Sequence, residues 1–79
     1  MTIEILGTGC PKCRALEANV REALKRLDLK ATVEKVTDID KIMEKGVMMT
    51  PALVVDGAIK SIGSVLSVEK IAALLNGRS

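Results

Sequence analysis

Gly7-Thr8-Gly9-Cys10-Pro11-Lys12-Cys13 is the stretch from which the rest of the chain can be placed. On its N-terminal side, Thr2 to Leu6 sets Ile3 and Ile5 in alternation with Thr2 and Glu4, the period of a short strand, and the glycines bound that strand with a turn. On its C-terminal side the period lengthens to that of a helix. Leu16, Val20, Ala23, Leu24 and Leu27 fall on one face, while Arg14, Glu17, Arg21, Glu22 and Lys25 are expected to face out. Glu17–Arg21 and Glu22–Arg26 are i,i+4 pairs in the favourable orientation. Pro11 suits a first helical turn, where its missing N–H has no partner to lose. Two cysteines with two residues between them therefore occupy a strand-to-helix turn.

Further along, Ala31 to Val36 reads as a second strand. A strand, a long helix and another strand imply a right-handed parallel crossover. Asp38 or Asp40 can cap a short helix through Ile39, Ile42 and Met43 that ends at Gly46. Ala52-Leu53-Val54-Val55 is a continuous apolar run, as in a strand covered on both faces. Asp56-Gly57 signals a hairpin into Ala58 to Ile62. Ser67 then caps a last helix that turns Val68, Ile71, Ala72, Leu74 and Leu75 inward, with Gly77 after it. The expected architecture is α/β, in the order β-α-β-α-β-β-α. It has a four-stranded mixed sheet flanked by helices and one domain over residues 1–79.

Composition narrows the function. The 79 residues are 48% hydrophobic and 28% charged, which suits a small folded domain with a modest core. With no histidine there is no imidazole base and no Cys–His nucleophile pair. Phe, Trp and Tyr are absent too, so no aromatic platform can stack single-stranded bases. The net charge of +2 comes from dispersed residues, and nucleic-acid binding is not expected. Neither is a signal peptide or a membrane span, so the expected setting is the cytoplasm and the expected state a monomer. In that reducing compartment a structural disulfide is out of place. Closing a loop of four residues would also contribute only about 2 kcal/mol, against about 3 for a loop of fifteen. The pair is placed for chemistry.

The face Leu16, Val20, Leu24 extends backwards onto Cys13, which should be buried, whereas Cys10 should sit at the exposed helix entrance. Unpaired backbone N–H groups and the positive helix end there favour thiolate over thiol. Lys12 pushes the same way if its side chain stays close. Cys10 is thus the expected nucleophile and Cys13 the expected resolving thiol. A structural zinc site takes four protein ligands, more than two cysteines supply. A linear two-thiolate Cu(I) site needs only the pair and stays open as an alternative.

Gly7 to Cys13, together with Thr50-Pro51 before an apolar strand, the Asp-Gly hairpin and Gly63, resembles the thioredoxin/glutaredoxin superfamily. More closely, the whole chain resembles the small glutaredoxin-like thioredoxins of archaea and bacteria. The resemblance implies a dithiol–disulfide oxidoreductase of protein or small disulfides that needs no cofactor or metal beyond its own redox-active pair. It also implies a cis Thr50-Pro51 bond facing the cysteines, with the backbone of Thr50 offered to an extended substrate. Met49, with Met48, would add an adaptable apolar contact.

There are departures. Glutaredoxins carry Cys-Pro-Tyr-Cys and a later Gly-Gly followed by Asp; here Lys12 replaces Tyr, and the matching stretch is Ile62-Gly63-Ser64-Val65. A thioredoxin-reductase-type flavoprotein is therefore the expected donor rather than glutathione. Thioredoxins also bury an acid behind the motif. Glu4, six residues before Cys10, is the candidate in sequence, but alternation sets it opposite Ile3 and Ile5 and predicts a surface residue. A heavy-metal-associated module also begins strand–loop–CxxC–helix, yet it would carry Met where Thr8 stands and would give Thr50-Pro51 no role. A noncatalytic adaptor on the same fold is the third reading.

Overall fold

The computed structural model describes residues 1–78. β1 (Thr2–Leu6) leads into α1 (Pro11–Leu27), followed by β2 (Thr32–Val36) and α2 (Ile39–Glu44). The hairpin β3 (Ala52–Val55) and β4 (Ala58–Ile62) precedes α3 (Val68–Ala73), which widens into a π-helical turn over Leu74–Arg78. The element order is the expected one. Gly77 departs from it, lying inside that last turn rather than after it.

The sheet order is β2-β1-β3-β4, with β1 parallel to β2 and antiparallel to β3. Asp56 and Gly57 both take positive φ (49° and 84°), as the two-residue turn of a right-twisted hairpin requires. The Asp56 carboxylate accepts a 2.8 Å hydrogen bond from the Thr2 N–H, tying the turn to β1.

Alternation along the two central strands divides the core. Ile3, Ile5 and Leu53 point to one face and pack with Leu16, Val20, Ala23 and Leu24 of α1 and with Ile71 and Leu75. Leu6, Ala52 and Val54 point to the other and pack with Ile42 of α2 and Val47. The apolar run of β3 is thus covered on both faces. Asp38 caps α2 by accepting from the Asp40 N–H. Within that helix only Ile42 is buried; Ile39 and Met43, expected on its apolar side, stay exposed because six residues present one narrow stripe to the sheet. Among the described residues, no helix is long and apolar enough to cross a membrane.

Candidate active site

The site is built where β1 hands the chain to α1. Gly9 takes φ +87°, and Cys10 follows in an extended conformation as the N-cap residue, with Pro11 in the first turn. A capping side chain must face the unpaired N–H groups of the first turn, and in this helix that side chain is a thiol. Cys10 Sγ accepts from the Cys13 N–H at 3.4 Å, and the two sulfurs lie 2.8 Å apart as free thiols. The Cys10 carbonyl accepts from the Arg14 N–H at 3.0 Å, so both ends of the cap residue are held.

The two thiols differ as their positions dictate. Cys10 is partly exposed and its pKa is lowered, first by the hydrogen bond from the Cys13 side chain and then by the Cys13 N–H. Lys12 contributes through its backbone N–H, while its side chain is exposed. Cys13 is only 5% exposed, and burial pushes its thiol up, followed by its hydrogen bond to Cys10. Gly7 makes the burial possible: a Cβ there would overlap Cys13 Sγ.

The same glycine brings the second loop in. A Cβ on Gly7 would lie 3.7 Å from Thr50 Cβ, so Thr50 borders the cysteine turn. The Thr50-Pro51 bond is cis, and Pro51 is fully buried, its carbonyl accepting from the Gly63 N–H at 2.8 Å. Met49 lies against Gly63, whose missing side chain leaves room for it, yet remains 63% exposed; Met48 is 82% exposed. Two loops far apart in sequence thus meet: the cysteine turn, with Cys10 partly exposed over a buried Cys13, and the Met49-Thr50-Pro51 segment, with Met49 exposed and Pro51 buried.

Residues 1–76 match a family model described as a thioredoxin domain. The chain belongs to the thioredoxin family. It is 46% identical over 76 residues to a thioredoxin of Methanothermobacter thermautotrophicus, a match covering 96% of this chain and 99% of that one. It is 42% identical over 71 residues to a thioredoxin of Methanocaldococcus jannaschii, covering 90% and 81%. With two thiols in contact at a helix N-terminus, this thioredoxin-family chain has a function of the thiol–disulfide oxidoreductase kind.

Two acids on this thioredoxin scaffold differ from expectation. Glu4 is half-buried rather than free on the surface, because Lys45, just past α2, reaches it at 3.4 Å. It lies with Leu6 on the face away from α1. Glu17, expected to face out, has a side chain only 17% exposed, because β2 runs beside it and places Lys35 Nζ 3.7 Å from Glu17 Oε1. Glu17 lines a cavity of about 140 Å³ that also reaches Cys13. One signal in the sequence could have found it: Glu17 stands four residues after Cys13, on the same side of the helix.

Proposed function

We propose that this protein carries electrons as a dithiol, reducing disulfides in protein targets and being reduced in turn by a thioredoxin-reductase-type flavoprotein in the cytoplasm. The observation that carries the proposal is the asymmetry of two touching thiols, one at the helix N-cap with a lowered pKa and one buried with a raised pKa. Cys10 thiolate attacks a target sulfur, forming a mixed disulfide and expelling the first target thiolate. Cys13, deprotonated, then attacks Cys10 Sγ; the Cys10–Cys13 bond forms and the second target thiolate leaves. The target gains two electrons and the protein loses two, which the flavoprotein returns.

The backbone of Thr50 is the edge on which we place the extended target segment, with Met49 as its apolar contact. No backbone hydrogen bond joins Thr50 to the described residues, which leaves its polar groups available. Ser64, in place of a second glycine after Gly63, supports a flavoprotein over glutathione as donor. The soft-metal reading has less support. It gives no role to Thr50-Pro51, which the fold sets beside the cysteine turn.

The test is trapping and turnover. Cys13→Ser should accumulate a mixed disulfide through Cys10 with a disulfide-bonded target, and the wild type should turn over with a thioredoxin reductase but poorly with glutathione. Trapping through Cys13, or no exchange at all, would overturn the proposal, and efficient turnover by glutathione alone would overturn the donor.

A further inference from the structure

Charge is distributed unevenly over this molecule. α1 and the edge strand β2 leave an open seam between them that runs from the cysteine turn to the far end of the helix. Its upper part borders Gly9 and Cys13 and carries Arg14 from α1 and Lys35 from β2. Its lower part, a groove of about 440 Å³, has Leu24, Leu29 and Val33 in its walls and carries Arg21, Lys25 and Lys30. The Arg21–Glu17 ion pair joins the two parts. Five cations thus stand against two carboxylates, Glu17 and Asp28, so the seam carries +3 where the whole chain carries +2. On the other face of the sheet the balance reverses: α2 and its cap hold Asp38, Asp40 and Glu44 against Lys41.

The positive charge of the seam is not neutralised from within. Glu17 is already engaged, with Arg21 at 3.0 Å and Lys35 at 3.7 Å. Among the described residues, Arg14, Lys25 and Lys30 have no carboxylate within ion-pair distance. Exposed like charges set along one groove repel each other, and an acidic occupant would relieve that repulsion. The chain has no aromatic ring on which a base could stack, so a carboxylate-bearing polypeptide suits the seam better than a nucleic acid. Its position is equally specific. The sheet order sets β2 and β3 on either side of β1, so the seam and the Thr50 loop flank the cysteine turn on opposite sides. A polypeptide lying across Cys10 from the Thr50 edge would therefore enter the seam. Lys25 stands twelve residues beyond Cys13, about 18 Å along the helix, a distance that about six extended residues cover.

We propose that the seam between α1 and β2 docks an acidic segment of the target protein, lying close in sequence to the cysteine that Cys10 attacks. The inference rests on the oxidoreductase function proposed above and adds which targets are preferred. Arg14 meets the segment beside the cysteine turn, and Lys25 and Lys30 meet it at the far end. Attraction along the seam raises the rate of encounter and sets the direction of the target across Cys10, while the thiol chemistry itself is unchanged.

The experiment mixes the reduced full chain with two synthetic peptides, each holding one cysteine in a mixed disulfide with thionitrobenzoate. That low-pKa thiol leaves as a coloured thiolate when Cys10 attacks the peptide sulfur. One peptide carries glutamates on both sides of its cysteine out to the length of the seam; the other carries glutamines at the same positions. Rates are taken relative to those with a small free thiol, which cancels the intrinsic reactivity of each peptide. At about 0.01 M salt, where the Debye length is about 30 Å, the acidic peptide should react about tenfold faster, the low end of electrostatic steering. The preference should fall below about twofold at about 1 M salt, where that length is about 3 Å. Lys25→Gln combined with Lys30→Gln should lower it to about threefold while leaving the glutamine peptide at the wild-type rate. Lys60→Gln combined with Lys70→Gln removes the same charge from the groove between β4 and α3 and should keep the full preference. No preference for the acidic peptide, a preference that survives high salt, or equal loss in the two double variants would overturn the proposal. So would tighter binding of a single-stranded oligonucleotide than of the acidic peptide without its cysteine. Slower reduction of the seam variant by a thioredoxin reductase, with peptide preference intact, would assign the seam to the donor and overturn it too. A wild type that releases colour but keeps the peptide on Cys10, never closing the Cys10–Cys13 bond, would instead sink the oxidoreductase function.

Discussion

Gly7 decides how deep Cys13 can sit. Its buried position has no room for a methyl group, because Cys13 Sγ occupies that space and Cys13 Cβ lies 3.3 Å from where the methyl carbon would be. Gly7→Ala should cost about 1–3 kcal/mol as an overpacked site, read as a lower urea midpoint at unchanged slope. It should also prolong the mixed disulfide by displacing the resolving sulfur. The contrast between the thiols has its own signature. The pKa of Cys10 is lowered, so its thiolate fraction and alkylation rate rise at lower pH than for a free cysteine. Burial raises that of Cys13, so its reaction comes later on the pH axis and stays slower at neutral pH. Peptide mapping after brief iodoacetamide treatment of the reduced protein should find the label on Cys10, and equal labelling would refute the assignment of roles. Met49 belongs to this scale as well. Met49→Ala should raise KM for a protein target several-fold while leaving a small disulfide unaffected, because a truncated interface side chain loses contact area and not chemistry.

At the scale of elements, the N-terminus of α1 does work that sequence analysis divided between helix and lysine. Lys12 acts on Cys10 through its backbone N–H, and its side chain is exposed. Lys12→Ala should therefore change the Cys10 alkylation rate by less than about twofold at physiological salt, as befits a screened surface charge. A loss of tenfold would restore the ammonium as the tuning group. α3 is short, and its cap matters accordingly. The Ser67 hydroxyl accepts from the Lys70 N–H at 3.2 Å and starts the segment that carries Ile71 and Leu75 into the core. Ser67→Ala should cost about 1 kcal/mol in denaturant unfolding without altering thiol reactivity. Each of these elements was legible because its signal is local: a cap, an alternation, a turn dipeptide.

Across the whole molecule, stability is concentrated on the α1 side of the sheet. A chain of 79 residues has about 4–12 kcal/mol to lose at typical per-residue stability. Leu16, fully buried between α1 and the central strands, should cost about 2–5 kcal/mol as Leu16→Ala, enough to leave a substantial unfolded fraction at 37 °C. Circular dichroism melting checks this, and a shift of only a few degrees would contradict it. The same molecule separates what the chain announces from what folding adds. Residue periods, Pro11, Asp56-Gly57 and the spacing of Cys10 and Cys13 determined the element order, the mixed sheet and the reactive pair, since each depends on neighbours within one or two turns of chain. The setting of Glu17 needed more. On an isolated helix it is a solvated partner of Arg21, and only β2 laid alongside, with Lys35 above it and Cys13 one turn below, makes it the wall of a cavity. Glu4 likewise became half-buried when Lys45 reached it across the sheet face. Burial of a charged side chain depends on which distant element covers it, and that is a property of the tertiary fold and not of any window of sequence.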